Sequence, residues 1–84
     1  MTYTYTPTGV CSQKITIEIN DDETIENVAF SGGCHGNLQG IAALVKGKTI
    51  DEVIAALSGI DCRMRGTSCP DQLAQALEQI KEEF

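Results

Sequence analysis

The chain has 84 residues, few enough that folding buries only about 60–65% of the unfolded surface, so the core is thin and often needs a staple. Apolar content of 42% and charged content of 21% are those of a globular chain and exclude a disordered or collagen-like one. Twelve acidic against six basic residues give a net charge of −6, which repels nucleic-acid phosphates and acidic membranes.

No stretch reaches the roughly 20 apolar residues of a membrane span, and residues 1–10 are too polar for a secretory signal. The expectation is a cytoplasmic protein that binds neither nucleic acid nor membrane. Its four cysteines, Cys11, Cys34, Cys62 and Cys69, then sit in a reducing compartment. Thiols there are more often metal ligands or redox groups than structural disulfides.

The first half reads as strands. Thr2 to Thr6 alternates tyrosine with threonine and ends near Pro7 and Gly9. From Gln13 to Asn20, Ile15, Ile17 and Ile19 alternate with Lys14, Thr16 and Glu18, the period-2 pattern of a strand with one buried face. Asn20 to Glu23 forms a polar turn, after which Thr24 to Phe30 resumes alternation with Val28 and Phe30 on one side. An antiparallel hairpin with a third strand follows from these runs.

Periodicity then changes to 3.6. Ser31-Gly32-Gly33 breaks the pattern, and from Gly36 Leu38, Ile41, Ala42, Leu44 and Val45 recur at helical spacing until Gly47. Thr49-Ile50-Asp51-Glu52 is a capping box opening a second helix with Val53, Ile54, Ala56 and Leu57 inside and Gly59 as its stop. A third helix is capped by Ser68 or Cys69, with Pro70 at its first position and Asp71 complementing the positive end of its dipole. Leu73, Ala76, Leu77, Ile80 and Phe84 form its apolar stripe. Residues 1–84 are thus expected to form a single α+β domain, a small three-stranded antiparallel sheet followed by about three helices packed on it.

The cysteines are separated by 22, 27 and 6 residues, unlike the paired knuckles of zinc fingers or the thioredoxin motif. All four fall at the ends of predicted elements. Cys34 and Cys69 stand where helix amides favour a thiolate, the form that binds metal. The hairpin returns the end of the segment carrying Cys34 toward the end carrying Cys11. Four thiolates suit zinc or an iron–sulfur centre and leave no open position for hydrolysis. Singly, each cysteine is more often a small buried hydrophobe; four at loop and cap positions favour a shared site. His35 is an alternative ligand, although a lone histidine at a helix start is usually a solvated cap residue. Gly32-Gly33-Cys34-His35-Gly36 lacks the Lys-Ser or Lys-Thr of a phosphate loop. Arg63 and Arg65 read as solvated surface, and Asp21-Asp22-Glu23 is no calcium loop.

Thr67-Ser68-Cys69-Pro70-Asp71, together with Gly32-Gly33-Cys34-His35-Gly36-Asn37 and the total of four cysteines, resembles the TSCPD domain family over essentially the whole chain. The resemblance implies metal binding by the cysteines and a link to adenosylcobalamin-dependent ribonucleotide reductases, which carry related C-terminal domains. The large catalytic barrel of that enzyme does not fit in 84 residues, so the chain is not expected to be catalytic alone. A more distant likeness, carried by Cys11, Gly33-Cys34, Val45 to Glu52 and Cys69, is to the NifU/IscU-type iron–sulfur scaffold. It implies a similar fold that gathers Cys11, Cys34 and Cys69 at one end of the molecule. Where the scaffold has an aspartate two residues after its first cysteine this chain has Gln13, where it has a histidine before its last cysteine stands Ser68, and Cys62 is an additional thiolate.

The resulting expectation is a zinc-binding accessory or interaction domain associated with ribonucleotide reduction, its metal held by Cys11, Cys34, Cys62 and Cys69. Its rivals are an iron–sulfur scaffold or carrier and a dithiol redox protein using Cys62 and Cys69. The partner, a ribonucleotide reductase or another protein, and the oligomeric state are left open.

Overall fold

Three strands in meander order make an antiparallel sheet with β2 in the centre: β1 is Thr2–Tyr5, β2 Ser12–Ile19 and β3 Ile25–Gly32. The computed structural model describes residues 1–10, 12–33, 35–64 and 66–83, with His35 described in its backbone alone. Cys11, Cys34, Arg65 and Phe84 lie outside the described residues.

The alternation in β2 works as the sequence implies, with Ile15, Ile17 and Ile19 buried on the face toward the helices. Tyr3 and Tyr5 stand opposite Ile17 and Ile15 and extend that face to the β1 edge. Two register shifts interrupt the pattern. Glu18 pairs with Asn27 but Ile19 with Ile25, so Glu26 is an extra residue on β3, and Ile25 and Val28 both point inward. Ser12 pairs with Gly32 but Lys14 with Ser31, so Gln13 is the extra residue on β2. Plain alternation places Gln13 with Ile15 on the buried face; the bulge leaves Gln13 exposed and turns Ser12 inward.

Helices α1 (His35–Val45), α2 (Ile50–Leu57) and α3 (Cys69–Lys81) follow. Between α1 and α2 the chain runs beside the start of β3: Lys48 accepts from the Ile25 amide at 2.8 Å, Ile25 accepts from Gly47 at 2.8 Å, and Glu23 accepts from Ile50 at 3.1 Å. This pairing covers part of the sheet edge. The capping box is complete, Thr49 Oγ1 accepting from the Glu52 amide at 3.1 Å and Glu52 Oε1 from the Thr49 amide at 3.0 Å. An ion pair between Lys81 and Asp51 joins α3 to α2.

The core joins the sheet isoleucines to Val45, Ile50, Val53, Leu73, Ala76, Leu77 and Ile80. In α1, Leu38 and Val45 are buried and Ile41 and Ala42 half-buried, but Leu44 is 75% exposed. In α2, Ala56 is exposed rather than inside. Each lies one step off the narrow stripe that a single-layer core can cover. The α+β architecture with the sheet first is as expected. No described helix is long and apolar enough to cross a membrane.

Leu73 and Leu77 are fully buried between sheet and helices. Leu77→Ala is expected to destabilise the fold by about 2–5 kcal/mol, read from urea unfolding; Leu44→Ala, on an exposed site, should change it by less than about 0.5 kcal/mol.

Candidate metal-site region

The segment that opens α3 assigns most of its residues a local task. Ser68 is the N-cap, extended at φ −154° and ψ 169°, and its Oγ accepts from the Asp71 amide at 3.1 Å. Cys69 is therefore the first helical residue and Pro70 the second, one step later than expected from sequence. Proline is tolerated at either position, because first-turn amides have no partner within the helix.

Asp71, buried at 7% exposure, is held by three donors. Its Oδ1 accepts from the Gly59 amide at 2.7 Å, and its Oδ2 accepts from the Thr67 hydroxyl at 2.6 Å and from Gln75 Nε2 at 2.9 Å. The Thr67 hydroxyl first, then the Gly59 amide, hold its carboxyl below the ordinary range against the opposing effect of burial. Asp71 thereby ties the end of α2 to the start of α3.

Gln72 is also buried and works in the other direction. Its Nε2 donates to Thr67 Oγ1 at 2.9 Å, and its Oε1 accepts from the Thr8 amide at 3.1 Å and the Tyr5 hydroxyl at 3.4 Å. The loop after β1, which leads to Cys11, is thus pinned to α3. Gly9 makes this approach possible. It adopts φ +73°, and a Cβ on it would stand 3.3 Å from the Thr67 methyl.

The bulged Ser12 completes the junction. Its Oγ lies 3.1 Å from Cys69 Sγ, both groups being buried. Ser12 follows Cys11 in sequence and faces Gly32, two residues before Cys34. Ser12, Gly32 and Cys69 therefore meet at one end of the sheet. Cys62 is exposed in the loop between α2 and α3, its amide donating to the Thr67 carbonyl at 3.0 Å. Arg63 and Met64 in that loop hold φ values of 53° and 62°, a conformation non-glycine residues rarely adopt.

Of the four cysteines singled out from sequence, Cys62 and Cys69 are described, while Cys11 and Cys34 lie outside the described residues, as does the side chain of His35. Among the described residues no three His, Cys, Asp or Glu side chains form a group able to hold a metal ion. Sequence reasoning missed Ser12, Thr67 and Gln72. The capping logic that found Ser68 and Asp71 gives no signal for the partners of Ser12 and Gln72, more than fifty residues away, and does not single out Thr67 as the link between Asp71 and Gln72. A cleft of about 310 Å³ between β3 and α1, walled by Val28, Phe30, Leu38 and Ala42 with Gln39 at its side, opens beside Gly32 and Gly33.

A family model described as the TSCPD domain matches residues 1–81. No curated protein and no solved structure matches the chain. These comparisons do not show the NifU/IscU likeness.

Removing the Asp71 charge should be costly. Asp71→Asn is expected to destabilise the protein by about 2 kcal/mol at neutral pH, since charge-assisted hydrogen bonds are weakened inside the fold. Because the folded carboxyl lies below its unfolded value of 3.8, its contribution is complete above that value and is lost as pH falls through the folded one. Urea midpoints of wild type and variant should therefore converge below pH ~4.

Proposed function

The chain belongs to the TSCPD domain family, and we propose that it is a small metal-binding accessory or interaction domain associated with ribonucleotide reduction, holding zinc on Cys11, Cys34, Cys62 and Cys69. The observation that carries the reading is the Ser12–Cys69 contact at 3.1 Å, with Ser12 paired to Gly32. Along the chain, Cys11 is one residue and Cys34 two residues from that junction. Cys62 enters through its own bond to Thr67, two residues before Cys69.

The donor chemistry fits the ion. Soft thiolates select zinc or iron–sulfur centres over hard cations, and four of them close a tetrahedral shell. Bound zinc would act as a structural cross-link between the β1–β2 loop, the β3–α1 turn and the two ends of the α2–α3 loop. Such a cross-link suits a chain whose apolar core is one layer deep, because metal binding free energy becomes folding free energy. A fourth sulfur in place of an exchangeable oxygen ligand favours holding the metal over passing a cluster on. The association with ribonucleotide reduction is carried by family membership, with the reductase or a protein bound to it as partner.

Elemental analysis of anaerobically purified protein is expected to find one zinc per chain and no colour. A brown protein with labile sulfide would replace this reading with the iron–sulfur carrier, and a metal-free protein with a reversible disulfide would replace it with the dithiol redox protein. Cys62→Ser should lower zinc content, whereas full occupancy in that variant would place Cys62 outside the site.

Chelation supplies a further test. Stripping the metal should lower the melting temperature and restoring zinc should recover it; an unchanged melting curve would remove the structural role.

A further inference from the structure

Ser12 does more at this junction than fill space, and its role rests on the four-thiolate reading above. We infer that Ser12 is a positioning residue of the metal site, its hydroxyl donating a hydrogen bond to the Cys69 thiolate and fixing the orientation of that sulfur. The geometry is an Oγ to Sγ distance of 3.1 Å between two buried groups. A ligating thiolate carries no proton, so the hydroxyl is the group that donates. Among the described residues, Cys69 is the one hydrogen-bond partner of the Ser12 hydroxyl.

The fold makes a specific local adjustment to bring them together. Without the extra residue at Gln13, period-2 alternation would direct Gln13 inward and Ser12 to solvent. The bulge exchanges them, and Gln13 is exposed as a result. On the other side, Ser68 caps the helix and takes the Asp71 amide, which leaves Cys69 Sγ free of that donor and directed to Ser12. Hydrogen bonds to a metal ligand set its orientation and the electron density it offers, and their loss typically costs about 10–100-fold in metal affinity.

The test compares Ser12→Thr with Ser12→Val in the full chain. Threonine and valine have nearly the same shape, so the pair differs by the hydroxyl alone. Zinc affinity is measured by competition with a chromophoric chelator, and cobalt(II) serves as a spectroscopic probe of the sulfur ligands. Ser12→Val is expected to bind zinc about 10–100-fold more weakly than Ser12→Thr. Its cobalt–thiolate charge-transfer band should move to lower energy, because a sulfur relieved of its hydrogen bond donates more strongly.

Ser12→Ala, which removes the hydroxyl without adding bulk, should repeat both effects if the larger pair folds poorly. Equal affinity and an unmoved cobalt band in the hydroxyl-free chains would overturn the inference while leaving the metal site standing. A purely structural role would lower the melting temperature of the metal-free variants and leave the band in place, which also overturns it. If wild type itself binds neither zinc nor cobalt, the four-thiolate reading fails and this inference fails with it.

Discussion

Around the start of α3, the Thr67 hydroxyl donates a hydrogen bond to Asp71 and accepts one from Gln72, and through those two side chains the end of α2 and the loop after β1 are bound to the same turn. The apolar core cannot do this work. Its residues lie along β2, β3 and the inner stripes of the helices, while this end of the molecule is made of loops with few large side chains. Polar groups that are buried must be paired or they destabilise the fold. Here the described buried side chains all have partners, so the junction is a satisfied network rather than a defect. Such a network defines one arrangement of its loops more sharply than apolar contact does.

Its electrostatics are unusual for an acidic chain. Asp71 lies in the first turn of α3, where the dipole favours negative charge. Asp71 draws on a hydroxyl, the Gly59 backbone amide just after α2 and a side-chain amide, all neutral. Cys69 is met by the hydroxyl of Ser12. Neither group depends on a described lysine or arginine; the described ion pair, Lys81 with Asp51, belongs to α3's other end. Neutral donors thus hold the Asp71 carboxylate in a fixed geometry.

The regular elements were legible because periodicity is local. Ile15, Ile17 and Ile19 announce a strand, and Thr49 with Glu52 announces a helix, from neighbours within a few residues. The bulges at Gln13 and Glu26 were not, since register is set between strands and no single strand records it. Leu44 and Ala56 mislead for a related reason: apolar spacing tells which residues can be buried, and the number of layers decides which are. At the candidate site, the cysteines, Ser68 and Asp71 could be singled out from chemistry and capping. Ser12, Thr8 and Gln72 could not, because their value comes from contacts across the fold.

The Thr67–Asp71 segment can be parsed on this basis. Thr67 relays between two buried side chains, Ser68 caps, Pro70 occupies a position that needs no amide donor, and Asp71 collects three donors. Each of these four would be useful in any tightly turned helix start, whatever the protein does. Cys69 is different. Its backbone task at the first helical position suits most residues, and among the described residues its side chain has one hydrogen-bond partner, Ser12. A buried alanine there would leave the Ser12 hydroxyl without its described partner. The four surrounding residues thus build a rigid mount at the helix start, and the thiol joins it to β2 through Ser12. That fixed setting is what the proposed ligand role of Cys69 calls for, since a metal ligand must be held in place by groups other than the metal.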